Sequence, residues 1–227
     1  MDNNLLAVLA LAFGLGMLHA LDADHIMAVS GLASTRTGRQ RALAFCARWA
    51  IGHGLTLMII GGAVLLLGMA IPARLSADAE SLVGVVLILV GAWVLWDLWR
   101  RRVRLHFHDH EGSISHAHWH LDQSEAAHGG KHSDVHGHGA VLVGVMHGTA
   151  GSAPLLALLP LAHYGPWFGL AYLLIFGVGV LVSMLLFGGL LGMVFDRLAK
   201  QGERVFRVTR MLVALSSMLF GAMLLHG

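Results

Sequence analysis

Hydrophobic positions in this chain neither alternate nor form stripes; they run. Six long apolar stretches stand out, roughly Leu5–Val29, Leu43–Ala70, Ser81–Trp99, Ala140–Ala162, Trp167–Phe195 and Val208–Leu225. Each is close to or above the ~20 residues that a helix needs to cross a bilayer. The pattern predicts an all-α polytopic membrane protein with six transmembrane helices. The first, second and fifth stretches carry several glycines or polar residues and are expected to be broken or tilted. Gly52, Gly54, Gly61, Gly62, Gly177, Gly179, Gly188 and Gly189 suit close helix packing within a membrane.

Composition agrees. Of 227 residues, 56% are hydrophobic and only 12% charged, which excludes an ordinary soluble domain. Cys46 is the single cysteine, so an intrachain disulfide is excluded. Met1-Asp2-Asn3-Asn4 offers no basic n-region, and no cleavable signal peptide is expected. The basic residues fall in loops and do not form a nucleic-acid surface; the lipid bilayer is the expected partner.

Those basic residues set the orientation. Arg36, Arg39, Arg41 and Arg48 flank the first connection. Arg100, Arg101, Arg102, Arg104 and Lys131 follow the third span. Arg197, Lys200, Arg204, Arg207 and Arg210 follow the fifth. Fourteen of fifteen thus share one side, with Arg74 alone on the other. The positive-inside rule makes that side cytoplasmic. In a cytoplasmic (inner) membrane both termini are then outside, and the connection between spans three and four is inside.

The chain also resembles itself. Residues 16–34 align with 144–162, placing His19 on His147 without a gap. Gly52-x-Gly54 resembles Gly177-x-Gly179, and Gly91-Ala92 resembles Gly221-Ala222, in the same order. An odd number of spans per repeat forces the halves into opposite senses. The expected organisation is therefore two inverted three-helix repeats, residues 1–104 and 139–227, joined by a cytoplasmic segment at 105–138. Secondary transporters commonly place the substrate site at such a repeat interface.

The chemistry concentrates in His19-Ala20-Leu21-Asp22-Ala23-Asp24-His25. One Asp near the centre of a membrane helix costs roughly 2.5–3.5 kcal/mol on insertion scales, so such residues usually mark a site. His19, Asp22 and His25 fall within roughly 120° of helix circumference. Asp24 points elsewhere on an ideal helix, so a common ion would require the first span to bend or unwind. Imidazole with carboxylate suits divalent first-row metals. His53, between Gly52 and Gly54, and His147, beside Gly148, complete the metal candidates: His19, Asp22, Asp24, His25, His53 and His147. Blander readings stand beside these. His53 and His147 could be packing histidines, Asp22 or Asp24 could pair with Arg48, and the span could end before Asp22. Asp97 is expected to form a surface pair with Arg100 and Arg101, and Trp93, Trp96, Trp99 and Trp167 to anchor span ends.

Residues 106–138 hold ten of the sixteen histidines: His106, His108, His110, His116, His118, His120, His128, His132, His136 and His138. This segment cannot bury a core and is expected to be largely disordered. Its composition reads as metal binding through several exchanging sites, a buffer at the cytoplasmic mouth. The alternative is a solvated, pH-responsive linker.

His19 to Ile26 resembles the H-x4-D-H signature of the nickel/cobalt transporter (NiCoT) family. Trp49-Ala50-Ile51-Gly52-His53-Gly54 is similar to that family's Gly-His motif in the next helix. The resemblance implies that His19, Asp24, His25 and His53 handle nickel, with Asp22 beside them. It covers roughly residues 14–60. Larger members carry the signature in the second of eight spans; here it lies in the first. Their later Asp-Thr motifs are replaced by His147-Gly148-Thr149-Ala150-Gly151-Ser152-Ala153-Pro154. The chain looks more like the shorter NicO and urease-accessory-type nickel permeases.

The expected function is secondary transport of Ni²⁺ or Co²⁺, in the uptake direction, with no tightly bound cofactor. A cytoplasmic metallochaperone is a fitting partner. No P-loop is present, so the chain itself is not expected to hydrolyse ATP. Efflux is the first alternative. A second is a metal-delivery or sensor protein for urease or hydrogenase maturation. A third is an H-x4-D acyltransferase, whose downstream phosphate-binding Gly and Arg motifs are missing here; the H-E-x-x-H of zinc hydrolases is also missing. The chain is expected not to be an enzyme.

Overall fold

A computed structural model describes residues 3–34, 39–67, 73–100, 135–150 and 164–226. Among these the chain is all-helical: α1 (Asn3–His19), α2 (Ala23–Ser34), α3 (Arg39–Leu67), α4 (Ala73–Arg100), α5 (Val135–Ala150), α6 (Pro166–Gln201) and α7 (Glu203–His226). Four helices are long and apolar enough to cross a membrane: α3, α4 from Glu80, α6 and α7. The pair α1 and α2, bent by 54°, makes a fifth if counted as one span. Only Gly139–Thr149 of α5 forms a shorter apolar helix, and the second half of the fourth apolar stretch, 151–162, lies outside the described residues.

The bend has a local cause. The backbone tightens at the end of α1, where the amides of Leu21 and Asp22 donate to the carbonyls of Leu18 and His19 at 2.9 and 3.0 Å. The carbonyl of Asp22 then accepts from Ile26 at 3.0 Å and opens α2. Asp is favoured where a helix starts, and Asp24 in the first turn of α2 suits the positive end of its dipole. Hydropathy sees one continuous apolar run here; the acidic residues divide it.

Elsewhere the helices outrun the apolar stretches. α4 begins at Ala73 and α6 continues through Asp196, Arg197 and Lys200 to Gln201. Only Gly202, with φ 128°, separates it from α7. Hydropathy marks what lipid solvates, whereas Arg, Lys and Glu are good helix formers that carry a helix on into water. The Arg207 guanidinium donates to the Glu203 carboxylate one turn away on α7. The second and fifth stretches, expected to be broken or tilted, are unbroken helices of 29 and 36 residues. Some of their glycines serve instead as crossing points.

At those crossings a Cβ on Gly16 of α1 would run into the carbonyl of Phe176 on α6, and one on Gly179 into the carbonyl of Phe13. Gly144 of α5 meets the carbonyl of Trp49 on α3, and Gly52 that of Val141. Gly84 of α4 and Gly221 of α7 each meet the other's carbonyl. Small residues let backbones touch, which drives helix association where lipid removes the hydrophobic incentive. Trp49, Leu57, Leu173, Val180 and Met184 fill the interior. Leu11, Leu55, Leu186 and Leu219 lie on the outer surface, as do Trp99 and Trp167.

Asp97 differs from expectation. Its carboxylate accepts from Arg210 of α7 at 2.6 Å, and the pair is largely buried. Arg100 instead lies over the Trp96 ring at 4.5 Å. Spacing along one helix could not reveal a partner 113 residues away.

Candidate metal centre

The break between α1 and α2 brings the motif's histidines together. His19 is the last residue of α1, and His25 lies in the first turn of α2. His53 has fourteen residues of α3 on either side, since α3 runs from 39 to 67. Ring centroids are 4.9 Å apart for His19 and His25, 5.4 Å for His19 and His53, and 5.2 Å for His25 and His53. One ligand atom from each lies within 4.8 Å of the other two. His147, near the end of α5, stands 5.3 Å from His25 by centroids. His25, His53 and His147 are only 1–2% exposed.

The carboxylates turn to the histidines. Asp22 Oδ2 lies 2.7 Å from His19 Nδ1, and Asp24 Oδ1 lies 3.2 Å from His25 Nδ1. A carboxylate only accepts, so each Nδ1 carries the proton. His147 Nδ1 likewise donates to the Val143 carbonyl at 3.1 Å. The other oxygen of Asp24 comes within 4.0 Å of His147 Nε2. Asp22 remains half-exposed, whereas Asp24 is partly buried.

With those bonds made, His19 Nε2, His25 Nε2, His147 Nε2 and both nitrogens of His53 are buried without a hydrogen-bond partner among the described residues. Each unsatisfied buried polar atom costs roughly 1–3 kcal/mol. These five atoms lie on four neighbouring rings, and with one nitrogen of each ring protonated they offer up to four lone pairs to a Lewis acid or water. Imidazole nitrogens sit about 2.0–2.1 Å from a bound first-row ion such as zinc, so a common ion would need them roughly 3–4 Å apart. The His19–His25–His53 group lies a small adjustment from that.

Two aromatic residues that sequence reasoning did not assign to the site wall it in. The Trp49 indole stacks on His25 at 5.8 Å and meets His147 edge-on at 5.0 Å. Phe176 lies 5.6 Å from His19. Trp49 had a signal: it precedes His53 by four residues and so shares its helix face. Phe176 had no comparable signal, because it reaches the site from α6 through the Gly16 crossing. Thr56 donates to the Gly52 carbonyl at 2.9 Å, and its side chain and the His53 carbonyl crowd Gly148. Among the loop histidines, His106 to His132 lie outside the described residues, as do the side chains of His136 and His138.

Comparison with known proteins places this geometry in a family. Residues 25–222 match the family described as the cytochrome C biogenesis protein transmembrane region. The urease accessory protein UreH of Bacillus sp. (strain TB-90) is 32% identical over 198 residues, which cover 87% of this chain and 82% of the relative. No solved structure matches the chain. Its helices and both similarities make this chain an integral membrane protein that belongs to the cytochrome C biogenesis protein transmembrane region family and is related to the urease accessory protein UreH.

Proposed function

We propose that this protein is a secondary transporter that carries Ni²⁺ or Co²⁺ across the cytoplasmic membrane, in the uptake direction. The observation that carries this reading is the His19–His25–His53 group, with ligand atoms within 4.8 Å of one another inside a helical membrane protein. A divalent ion entering a membrane loses its water and needs donors to replace it. Neutral imidazoles do this for first-row metals better than for Mg²⁺ or Ca²⁺, which prefer oxygen. The H-x4-D-H resemblance to nickel/cobalt transporters and a relative named for urease accessory work both favour nickel.

The proposed architecture has six spans in two inverted repeats: α1–α2, α3 and α4 in one, and a span containing α5 followed by α6 and α7 in the other. The reciprocal crossings support it. Phe13 and Gly16 on α1 are spaced like Val141 and Gly144 on α5, and Trp49 and Gly52 on α3 like Phe176 and Gly179 on α6. The α1–α6 crossing thus has the same form as the α3–α5 crossing. This register pairs Gly52 with Gly179, whereas the sequence match paired Gly52 with Gly177. His19 and His147 keep their pairing, three residues after Gly16 and Gly144.

In this arrangement the ion enters from outside, exchanges water for the three imidazoles, and leaves toward the cytoplasmic histidine-rich segment, which acts as a buffer. Proteoliposomes containing the purified protein test the reading. Uptake of Ni²⁺ or Co²⁺ above that of empty vesicles is expected. Accumulation that falls in cells expressing the protein would reverse the direction to efflux. No flux of Ni²⁺, Co²⁺ or Zn²⁺ would reject transport.

A further inference from the structure

Three imidazoles at this site share one pattern. Each ring is engaged at Nδ1 by an oxygen acceptor, which leaves Nε2 without a hydrogen bond. Asp22 takes His19 by Nδ1, and Asp24 takes His25 by Nδ1. The backbone carbonyl of Val143 does the same for His147. In all three the remaining nitrogen, Nε2, is buried and without a hydrogen-bond partner among the described residues. The carboxylates are the more exposed members: the Asp22 and Asp24 side chains are 56% and 26% exposed, against 14% and 2% for His19 and His25. They stand on the Nδ1 side of His19 and His25.

We propose that Asp22 and Asp24 are positioning residues and not metal ligands, and that the ion is held by Nε2 of His19, His25 and His147 together with a His53 nitrogen. The proposal rests on the metal-transport reading above and changes its ligand set: the carboxylates of the signature move out of direct coordination, and His147 of the second half moves in. Hydrogen bonding of the far nitrogen fixes which tautomer a metal-binding His adopts, aims its ring and raises its basicity. One oxygen of Asp24 holds His25, and the other stands 4.0 Å from His147 Nε2, beyond hydrogen-bond reach, so its charge lies beside the ring from α5 without engaging it. Opposite the His25 ring, Trp49 touches both His25 and His147, limiting how far either can turn. An all-imidazole set carries no charge of its own and binds the ion without trapping it as a carboxylate would, which suits a cargo that must leave.

The test uses the full-length protein in detergent with the ten histidines of residues 106–138 changed to Gln, so that the loop contributes no signal, and Co²⁺ as the probe. Its visible absorption and the X-ray absorption at the cobalt edge report the number of imidazoles around the ion. Asp22→Asn and Asp24→Asn keep an acceptor oxygen for Nδ1–H. They are expected to keep the spectrum and the imidazole count while weakening Co²⁺ binding about 10–100-fold. Asp24→Ala, with no acceptor, should bind more weakly still. His25→Ala and His147→Ala should each change the spectrum and lower the imidazole count by one. A spectrum altered by Asp24→Asn as much as by His25→Ala would make Asp24 a ligand and overturn the proposal. So would equal losses for Asp24→Asn and Asp24→Ala, or an unchanged spectrum for His147→Ala. Failure of the parent protein to bind Co²⁺ at all would instead remove the transport reading on which the proposal stands.

Discussion

The His25 imidazole lies nearly parallel to the Trp49 indole, with centroids 5.8 Å apart and planes 8° apart. The indole therefore adjoins any ion that His25 binds. Paramagnetic Ni²⁺ or Co²⁺ at that ring should quench Trp49 emission. Trp119 sits among the loop histidines, so the measurement needs Trp119→Phe as its background. Titration with Ni²⁺ should dim that protein, and adding Trp49→Phe should remove most of the response. Equal quenching with and without Trp49 would place the ion elsewhere.

The helix crossings around the site predict opposite outcomes for glycines that look alike in the sequence. Gly16→Ala and Gly144→Ala each push a methyl into a backbone carbonyl of the facing helix. Overpacking of this kind costs about 1–3 kcal/mol and should also move His19 or His147 out of place. Gly14→Ala and Gly54→Ala meet nothing within 4 Å and should be neutral or slightly stabilising, since Ala is the better helix former. Thermal unfolding in detergent, followed by circular dichroism, separates the two groups.

The buried ion pair between α4 and α7 makes a third case. Arg210 is 7% exposed and hydrogen-bonds to Asp97 at 2.6 Å. Removing one partner leaves a buried charge, at a cost of about 3–5 kcal/mol. Asp97→Asn should therefore destabilise the protein strongly. The double change of Asp97→Leu with Arg210→Met should recover much of the loss, because an apolar pair needs no desolvation. Unfolding temperatures of the single and double variants check this; equal instability of both would argue that the charges are needed together.

Much of this was legible before the structure. Apolar runs identified the helices, because lipid selects on hydropathy. His19, His25 and His53 stood out because polar groups in such runs are costly. The bend at residues 20–22 followed from a geometric conflict: a straight helix cannot aim Asp24 with His19. What stayed hidden depended on contacts between distant segments. The Asp97–Arg210 pair joins two helices that no local pattern relates. The contacts of Asp22 and Asp24 with Nδ1 of His19 and His25 lie at the turn that the bend creates, which a helical wheel does not describe. Phe176 reaches His19 only because Gly16 lets α6 come close. Helices run beyond the expected spans because charged residues remain helical past the apolar stretch.

The histidine-rich segment should matter only when metal is scarce. Deleting residues 106–138 is expected to leave the maximal rate of uptake unchanged and to lower uptake at limiting Ni²⁺ several-fold, as loss of a local buffer would. Uptake measured across a range of external Ni²⁺ distinguishes these regimes. A collapse of the maximal rate would make the segment part of the transport path.

The central claim is that the ion passes through the imidazole group at the α1–α2 break. Radioactive nickel uptake by proteoliposomes, with His53→Ala compared with the unaltered protein at equal reconstitution, tests it most directly. His53 is fully enclosed and both its ring nitrogens lack a partner among the described residues, so its loss removes a donor without breaking a bond seen in the structure. The account predicts uptake at the level of empty vesicles. Uptake by His53→Ala at the rate of the unaltered protein would contradict it.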